Sequence, residues 1–464
     1  MTGLGEQVNS RFAGKRVHVI GLGKWGTGRA VARVMWRRGA AVTVSDVKTA
    51  AELADQIDAL QDTGVVVQTG EEAYRGIEEA DLVVPSPGVP LDIPPLLRAR
   101  AAGATVVSEI EIAFWIAPCP IIAVTGTKGK TTTAALIGEL LAGEGKRALV
   151  GGNIGRPLVE LAEAAAPDDI LVGEVSSFQL EGIERFRPAV AVLLNLSADH
   201  LDRHATMDAY RAAKARIFAN QRPEDAAVVN RDDPQAWAMR DLVRARLVPY
   251  TTEGGEPSGA DVMAGWLRVE GERIAPASAL RLPGRHNISN ALAALAASRA
   301  AGATLANAAH TLADFRGVEH RLEIVGVIGG VTFVNDSQAT TPAATIAALR
   351  AFGGRVALIA GGRPKVHDFT ALADEVARRG AALILIGEAA DEIAAAAQAA
   401  GVAAVRAGGL EEAVRLAYER ARPGGTVLLS PACASFDMFA DMADRGRQFK
   451  QLVRQLGGRE GAPA

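Results

Sequence analysis

The run IIAVTGTKGKTTTAAL at residues 121–136 joins an apolar β-type segment directly to a loop of glycine, lysine and threonine, and that loop directly to an alanine-rich helical segment. A strand that feeds through a glycine loop into a helix is the opening of a βαβ unit, the building block of a helix-covered parallel sheet. The same order recurs from Arg16: RVHVI, then GLGKWG, then TGRAVARVMWRRG, then AAVTVSD. Alternating strands and helices of this kind specify an α/β fold with mainly parallel sheets flanked by helices.

At 464 residues the chain is too long for one ordinary core, and about 150 residues per domain gives roughly three. The pattern continues through ADLVVPSPGVP and ATVVSEIE and breaks at the proline-bearing APCP, residues 117–120. A second α/β region runs through DILVGEVSS, PAVAVLLNLS and DAAVVNRDD, with turns and short strands at 251–283 before the helical HNISNALAALAASRA. After DFRGVEHR the runs GVTFVND, VALIAGG, ALILIG and GTVLLS alternate with helical segments. The expected domains are therefore 1–118, Rossmann-like; 119–317, resembling a P-loop ATPase; and 318–464, again Rossmann-like. A net charge of −3 gives no general attraction to nucleic acid, and no apolar run approaches the ~20 residues of a membrane span. Two cysteines cannot form a disulfide framework, and MTGLGEQVNSRF has no secretory pattern, so a cytoplasmic location is expected.

Glycines at the end of a strand let backbone N–H groups approach phosphate oxygens, and the following helix offers its positive end. Gly126, Thr127, Lys128 and Gly129 form such a loop; Lys130 reaches the terminal phosphates, and Thr131 or Thr132 offers a hydroxyl to Mg²⁺. Only two residues separate the glycines of GTKGKT, fewer than in the usual P-loop. Glu174 ends the apolar run ILVG, at the crevice side of a parallel sheet, where it either meets the loop's Mg²⁺ or caps the next helix. His200 follows another strand; with His204 it has the i, i+4 spacing of a zinc pair, but HLDRH lacks the glutamate pattern of zinc proteases and no cysteine is near. Lys214 in YRAAK reads on spacing alone as a surface lysine, and Asn287 and Asn290 in HNISN as helix caps. In the first domain Gly21, Gly23 and Gly26 are followed 20 residues later by Asp46, a dinucleotide fingerprint that suits NAD or another nucleotide diphosphate.

TGTKGKTT, GGNIG, GEVSSFQLE, SADHLDRH, YRAAKARIF, GRHNISN and HRLE occur in this order along the chain, which thereby resembles the Mur ligases of peptidoglycan synthesis. GxGxxG, SPGVP, NDSQAT and SPACASFDMF are most similar to the branch that adds glutamate to UDP-N-acetylmuramoyl-L-alanine. The resemblance implies an ATP-dependent amide ligase, with ATP and Mg²⁺ required and an acyl phosphate formed on the way. It implies catalytic Lys130, Glu174, His200 and Lys214, with Thr131, Glu174, His200 and a carbamylated Lys214 on metal. ATP would also meet Asn287, Asn290, Arg321 and Asp336. The UDP substrate would meet Gly21, Leu22, Gly23, Lys24, Trp25, Gly26, Asp46, Ser86, Pro87, Gly88 and Asn153, and the incoming glutamate Thr340, Lys365 and Ser435. D-Glutamate and a monomer are expected. Gln338 replaces a common lysine and Met442 a common aromatic, which leaves room for L-glutamate, another amino acid or another acceptor. A nucleotide-binding regulator without catalysis is the remaining alternative.

Overall fold

The computed structural model describes residues 11–22, 26–153, 155–199, 201–282 and 284–460. The chain divides into two compact units, Met1–Phe315 and Arg316–Ala464. The first unit carries two sheets.

Five parallel strands form the N-terminal sheet: β1 (Arg16–Ile20), β2 (Ala41–Asp46), β3 (Val66–Thr69), β4 (Leu82–Pro85) and β5 (Thr105–Val106), in the order β3-β2-β1-β4-β5. Helix Thr27–Arg37 buries Val31, Val34 and Met35. These residues share one apolar cluster with Val159, Leu161 and Ala162 of helix Leu158–Ala164, which belongs to the second sheet. That shared core is why the two sheets form one unit.

The second sheet comprises β6 (Ile121–Thr125), β7 (Ala148–Gly152), β8 (Ile170–Glu174), β9 (Val190–Leu193), β10 (Ala226–Asn230), β11 (Arg246–Thr251), β12 (Ala260–Met263), β13 (Trp266–Val269) and β14 (Glu272–Pro276), in the order β14-β13-β12-β11-β10-β9-β6-β8-β7. It is parallel from β7 to β12, and the punctuated stretch after residue 251 adds the antiparallel edge β12-β13-β14. β6, β8, β9 and β10 are buried along their whole length, as strands covered on both faces must be.

The second unit holds β15 (Glu323–Ile328), β16 (Val331–Asn335), β17 (Val356–Gly361), β18 (Ala382–Ile386), β19 (Ala404–Arg406) and β20 (Thr426–Leu429), ordered β15-β16-β20-β17-β18-β19. Among the described strands only the β15-β16 pair is antiparallel. β15 escapes sequence reading because it is an edge strand, only partly buried, with Gly326 at a register shift.

Two buried carboxylates on helix Glu109–Ile116 fasten the N-terminal part of the first unit to the second sheet. Glu111 accepts from the backbone N–H groups of Glu184, Arg185 and Phe186 at 2.8–3.0 Å. Glu109 accepts from Val159 N at 2.7 Å and from Gln179 Nε2 at 3.3 Å, and burial pushes its carboxyl up to about 7. Replacing Glu111 with alanine leaves three backbone donors without their acceptor, that of Phe186 buried, so we expect a loss of about 1–3 kcal/mol and a lower Tm in thermal unfolding. The pKa of Glu109 is raised in the folded state, so the folded protein binds the extra proton. The contribution of Glu109 to stability is full at acid pH and falls as pH rises from about 4.5 to about 7. Glu109→Gln should therefore gain in Tm relative to the parent protein at pH 8 compared with pH 5.

Candidate active site

The phosphate loop leaves β6 at Gly126 and enters helix Lys130–Ala142 through Gly129. Both glycines have positive φ, 150° and 86°. A Cβ on Gly126 would lie 2.9 Å from Leu194 Cβ, and one on Gly129 would lie 2.4 Å from Asn290 Oδ1. Gly129 is thus needed because the Asn290 carboxamide rests on the loop. Asn195 pins the loop from the opposite side: its carbonyl accepts from Thr127 N at 2.9 Å and its Oδ1 from Lys128 N at 2.8 Å, while its Nδ2 donates to Lys128 O at 3.0 Å. Asn195 was not among the expected residues, although its place after β9 in LLNLS was open to view.

Lys130 Nζ donates to Gly126 O at 3.1 Å and Thr127 O at 3.0 Å. Lys214 Nζ donates to the same Gly126 carbonyl at 3.0 Å and to Thr125 Oγ1 at 3.3 Å. Lys214 is only 2% exposed, which rules out the surface-lysine reading. Burial first, and then the charge of Lys130, lower its pKa to about 7, against the pull of Asp199 and Glu174. Its amine is therefore neutral for part of the time at physiological pH.

Glu174, at the end of β8, is 3% exposed and accepts from Thr131 Oγ1 at 2.7 Å. Asn153 lies beside it: Asn153 N donates to Glu174 O at 2.9 Å and Asn153 Nδ2 to Glu174 Oε1 at 3.4 Å. Glu174 is not a helix cap, since Ser176 caps helix Ser177–Glu181 in a reciprocal box with Gln179. Nor are Asn287 and Asn290 caps, because Gly284 holds that position on helix Arg285–Ala300; Asn290 Nδ2 donates to Asn287 Oδ1 at 3.4 Å. Thr132 is half-buried in the first turn after the loop. Tyr210, on the helix of Lys214, shares a hydrogen bond of 3.1 Å with Thr127 Oγ1. His204 is buried, 2.9 Å from Ser177 Oγ and 3.3 Å from a Glu181 oxygen, so it ties the element after β8 to this helix region. His200, Gly23, Lys24 and Trp25 lie outside the described residues. Among the described residues no three His, Cys, Asp or Glu side chains cluster as a metal site.

At the crevice of the N-terminal sheet Gly21 (φ 83°) turns over Ser86, whose Oγ donates to Gly21 O at 2.6 Å. Asp46 Oδ2 accepts from Leu22 N at 3.1 Å, and Pro87 and Gly88 form the turn closed by Val89 N to Ser86 O. Gly26 (φ 77°) precedes helix Thr27–Arg37, in which a Cβ on Gly28 would sit 1.9 Å from Gly21 O. Gly28, absent from the expected set, is what lets the helix approach the turn.

In the second unit Thr340, Lys365 and Ser435 follow β16, β17 and β20, three adjacent parallel strands. Lys365 Nζ is hydrogen-bonded to Thr340 Oγ1, and Arg363 pairs by its backbone with Ala434, next to Ser435. Ser435 Oγ and Gln338 Oε1 are buried with no hydrogen-bond partner among the described residues, an arrangement that suits a polar ligand. Arg321 stands between two left-handed residues, His320 (φ 65°) and Leu322 (φ 44°). Asp336 accepts from Leu322 N at 3.1 Å and from Ser430 Oγ at 2.8 Å, and burial raises its carboxyl to about 6. Arg445, also unexpected, is wholly buried, and its five N–H groups reach Ser337 and the carbonyls of Cys433 and Ala434.

Comparison with known proteins gives matches along the whole chain. Residues 15–108 match the Mur ligase MurD-like N-terminal domain, 124–298 the Mur ligase middle domain and 320–433 the Mur ligase glutamate ligase domain. A UDP-N-acetylmuramoylalanine–D-glutamate ligase of Pelotomaculum thermopropionicum is 46% identical over 451 residues, 96% of this chain and 98% of that protein. One from Koribacter versatilis is 44% identical over 451 residues, covering 96% and 99%. Among solved structures, a UDP-N-acetylmuramate-alanine ligase from Thermotoga maritima matches 95% of this chain and 99% of its own, with a TM-score of 0.56 at 20% identity, which speaks for the fold. With three domain models in order and relatives above 40% identity along nearly its full length, the chain belongs to the Mur ligase family.

Proposed function

We propose that the protein is an ATP-dependent ligase that joins D-glutamate to UDP-N-acetylmuramoyl-L-alanine in peptidoglycan precursor synthesis. The observation that carries this reading is the pair Lys130 and Lys214, both donating to one carbonyl of the phosphate loop beside the Thr131–Glu174 pair. Residues 1–118 are assigned to the UDP-linked substrate, 119–317 to ATP and 318–464 to the amino acid. The substrate pocket takes Gly21 to Gly26, Asp46, Ser86 to Gly88 and Asn153. The ATP site takes the loop from Gly126 to Thr132 with Asn287 and Asn290. A cytoplasmic monomer is the proposed working form; among the described residues no helix is long and apolar enough to cross a membrane.

A carboxylate becomes an acyl donor only when one oxygen is made a good leaving group. The γ-phosphoryl group of ATP passes to the alanyl carboxylate; the glutamate amine then attacks the acyl carbon, phosphate departs with the electron pair, and the nitrogen loses its proton. The reactants are anionic, so the protein's main task is to hold them together and screen their charge. Lys130 does so at the loop, and the loop N–H groups cradle the phosphates. Lys214, when neutral, can take up CO₂ and release a proton, becoming a carbamate that no longer repels metal. Mg²⁺, if held by Thr131, Glu174, the Lys214 carbamate and His200, would neutralise triphosphate charge. Lys365 supplies a cation and Thr340 and Ser435 hydroxyls for the two carboxylates of glutamate, with Gln338 adding a neutral acceptor or donor beside them.

Phosphate release from ATP should require both UDP-N-acetylmuramoyl-L-alanine and D-glutamate; equal release with L-glutamate would contradict the assigned amino acid. Lys130→Ala and Glu174→Ala should each lower kcat by about 10³-fold or more, since each removes a charge used in phosphoryl transfer. Lys214→Ala should lose activity and regain part of it when acetate is added as a substitute carboxylate. Because protonation blocks carbamate formation, the activity of the parent protein should fall as pH drops through about 7, while the acetate-rescued variant should lack that limb of the profile.

A further inference from the structure

The loop 70–76 follows the outer strand β3, and at its start Gly70 N donates to Lys48 O, just beyond the end of β2. Within it Tyr74 has φ 72°, a left-handed conformation costly for a residue with a bulky side chain. Two neighbouring strands hold it there. Tyr74 N donates to Ser45 Oγ at 3.1 Å, and Gln68 Nε2 donates to Arg75 O at 3.1 Å. The Ser45 hydroxyl is itself fixed, 2.5 Å from His18 Nε2 and 3.2 Å from Gln68 Oε1. His18 is buried, which lowers its pKa to about 4 and keeps the imidazole neutral. A three-strand polar ladder thus enforces a strained backbone at one residue.

Tyr74 packs half-buried against the apolar cluster of Ile20, Ile77 and Leu96, in company with Val89. Val89 belongs to the Ser86 turn and comes within 3.6 Å of the position a Cβ on Gly21 would occupy. Burial first, and then the charge of Asp46, raise the phenol's pKa. The phenol oxygen has no hydrogen-bond partner among the described residues. Gly21, Asp46 and Ser86 surround the crevice between β1 and β4 where the strand order reverses, the place at which open α/β sheets bind nucleotides.

We propose that Tyr74 contacts the base of the nucleotide, its ring forming an aromatic wall of the pocket and its left-handed backbone turning that wall into the crevice. The proposal rests on the reading that this pocket takes a UDP-linked substrate. A tyrosine retained only to cover the apolar cluster would not need a strained, doubly clamped backbone, because a relaxed loop would cover the cluster as well.

Titration calorimetry of UDP against the full-length protein tests it. Tyr74→Ala should weaken UDP binding by about tenfold or more, the scale of one base-to-aromatic contact. Tyr74→Phe should stay within about threefold. Tyr74→Gly, which relieves the backbone, should raise Tm above that of Tyr74→Ala and yet bind UDP as weakly. The KM for the UDP-linked substrate should rise in parallel, with kcat little changed. UDP binding by Tyr74→Ala as tight as that of the parent protein would overturn the proposal and leave the substrate assignment standing. Failure of the parent protein itself to bind UDP would overturn that assignment and the proposal with it.

Discussion

The carbonyl oxygen of Gly126 accepts hydrogen bonds from two lysines, and much of the central architecture serves to make that possible. Two ammonium groups about 3 Å from one oxygen repel each other, and water that might screen them is largely excluded at Lys214. The cheapest relief is loss of a proton from the more buried partner, and the direction of the Lys214 shift agrees. Gly126 itself turns with φ 150°, and a side chain there would collide with Leu194 Cβ and the Asn195 backbone.

Keeping those groups in place requires the surrounding elements to be rigid, and buried polar contacts supply much of the rigidity. Asn195 fixes the loop from β9, Tyr210 fixes Thr127 from the helix of Lys214, and His204 bridges to the element after β8. Glu109 joins the same system through Gln179, the residue that completes the box with Ser176 just beyond Glu174. Tyr210, His204, Glu109 and Gln179 are buried and Asn195 is half-buried, each with its partners already arranged.

The second unit solves a related problem with a single cation. Arg445 is wholly buried and makes its hydrogen bonds to a hydroxyl and to backbone carbonyls. Burial lowers its pKa to about 10, a value still high enough to keep it charged near neutrality. By holding Ser337 and the Cys433–Ala434 segment together it sets the spacing of the loops that carry Gln338, Thr340 and Ser435. The orphaned oxygens of Ser435 and Gln338 fit a place prepared for a polar ligand.

The mainly parallel α/β architecture and the glycine turn between β6 and helix Lys130–Ala142 were legible in the sequence because apolar runs and glycines follow local rules that do not depend on distant residues. The edge strand β15 was not, since a half-exposed strand interrupted by glycine lacks a clear period. Local reading also left Lys214 open as a surface lysine and Asn290 as a cap. Folding decided both, by burying the amine under Gly126 and by seating the carboxamide over Gly129. Asn195, Tyr74 and Arg445 are ordinary residues in the linear chain whose roles arise from contacts across tens of positions, and Gly28 takes its role from the turn at Gly21 folding back on it. Sequence by itself determined most of the strands and helices and the glycine turns that join them; the tertiary structure decided which side chains lose water and which meet each other, because burial and proximity are properties of the packed chain alone.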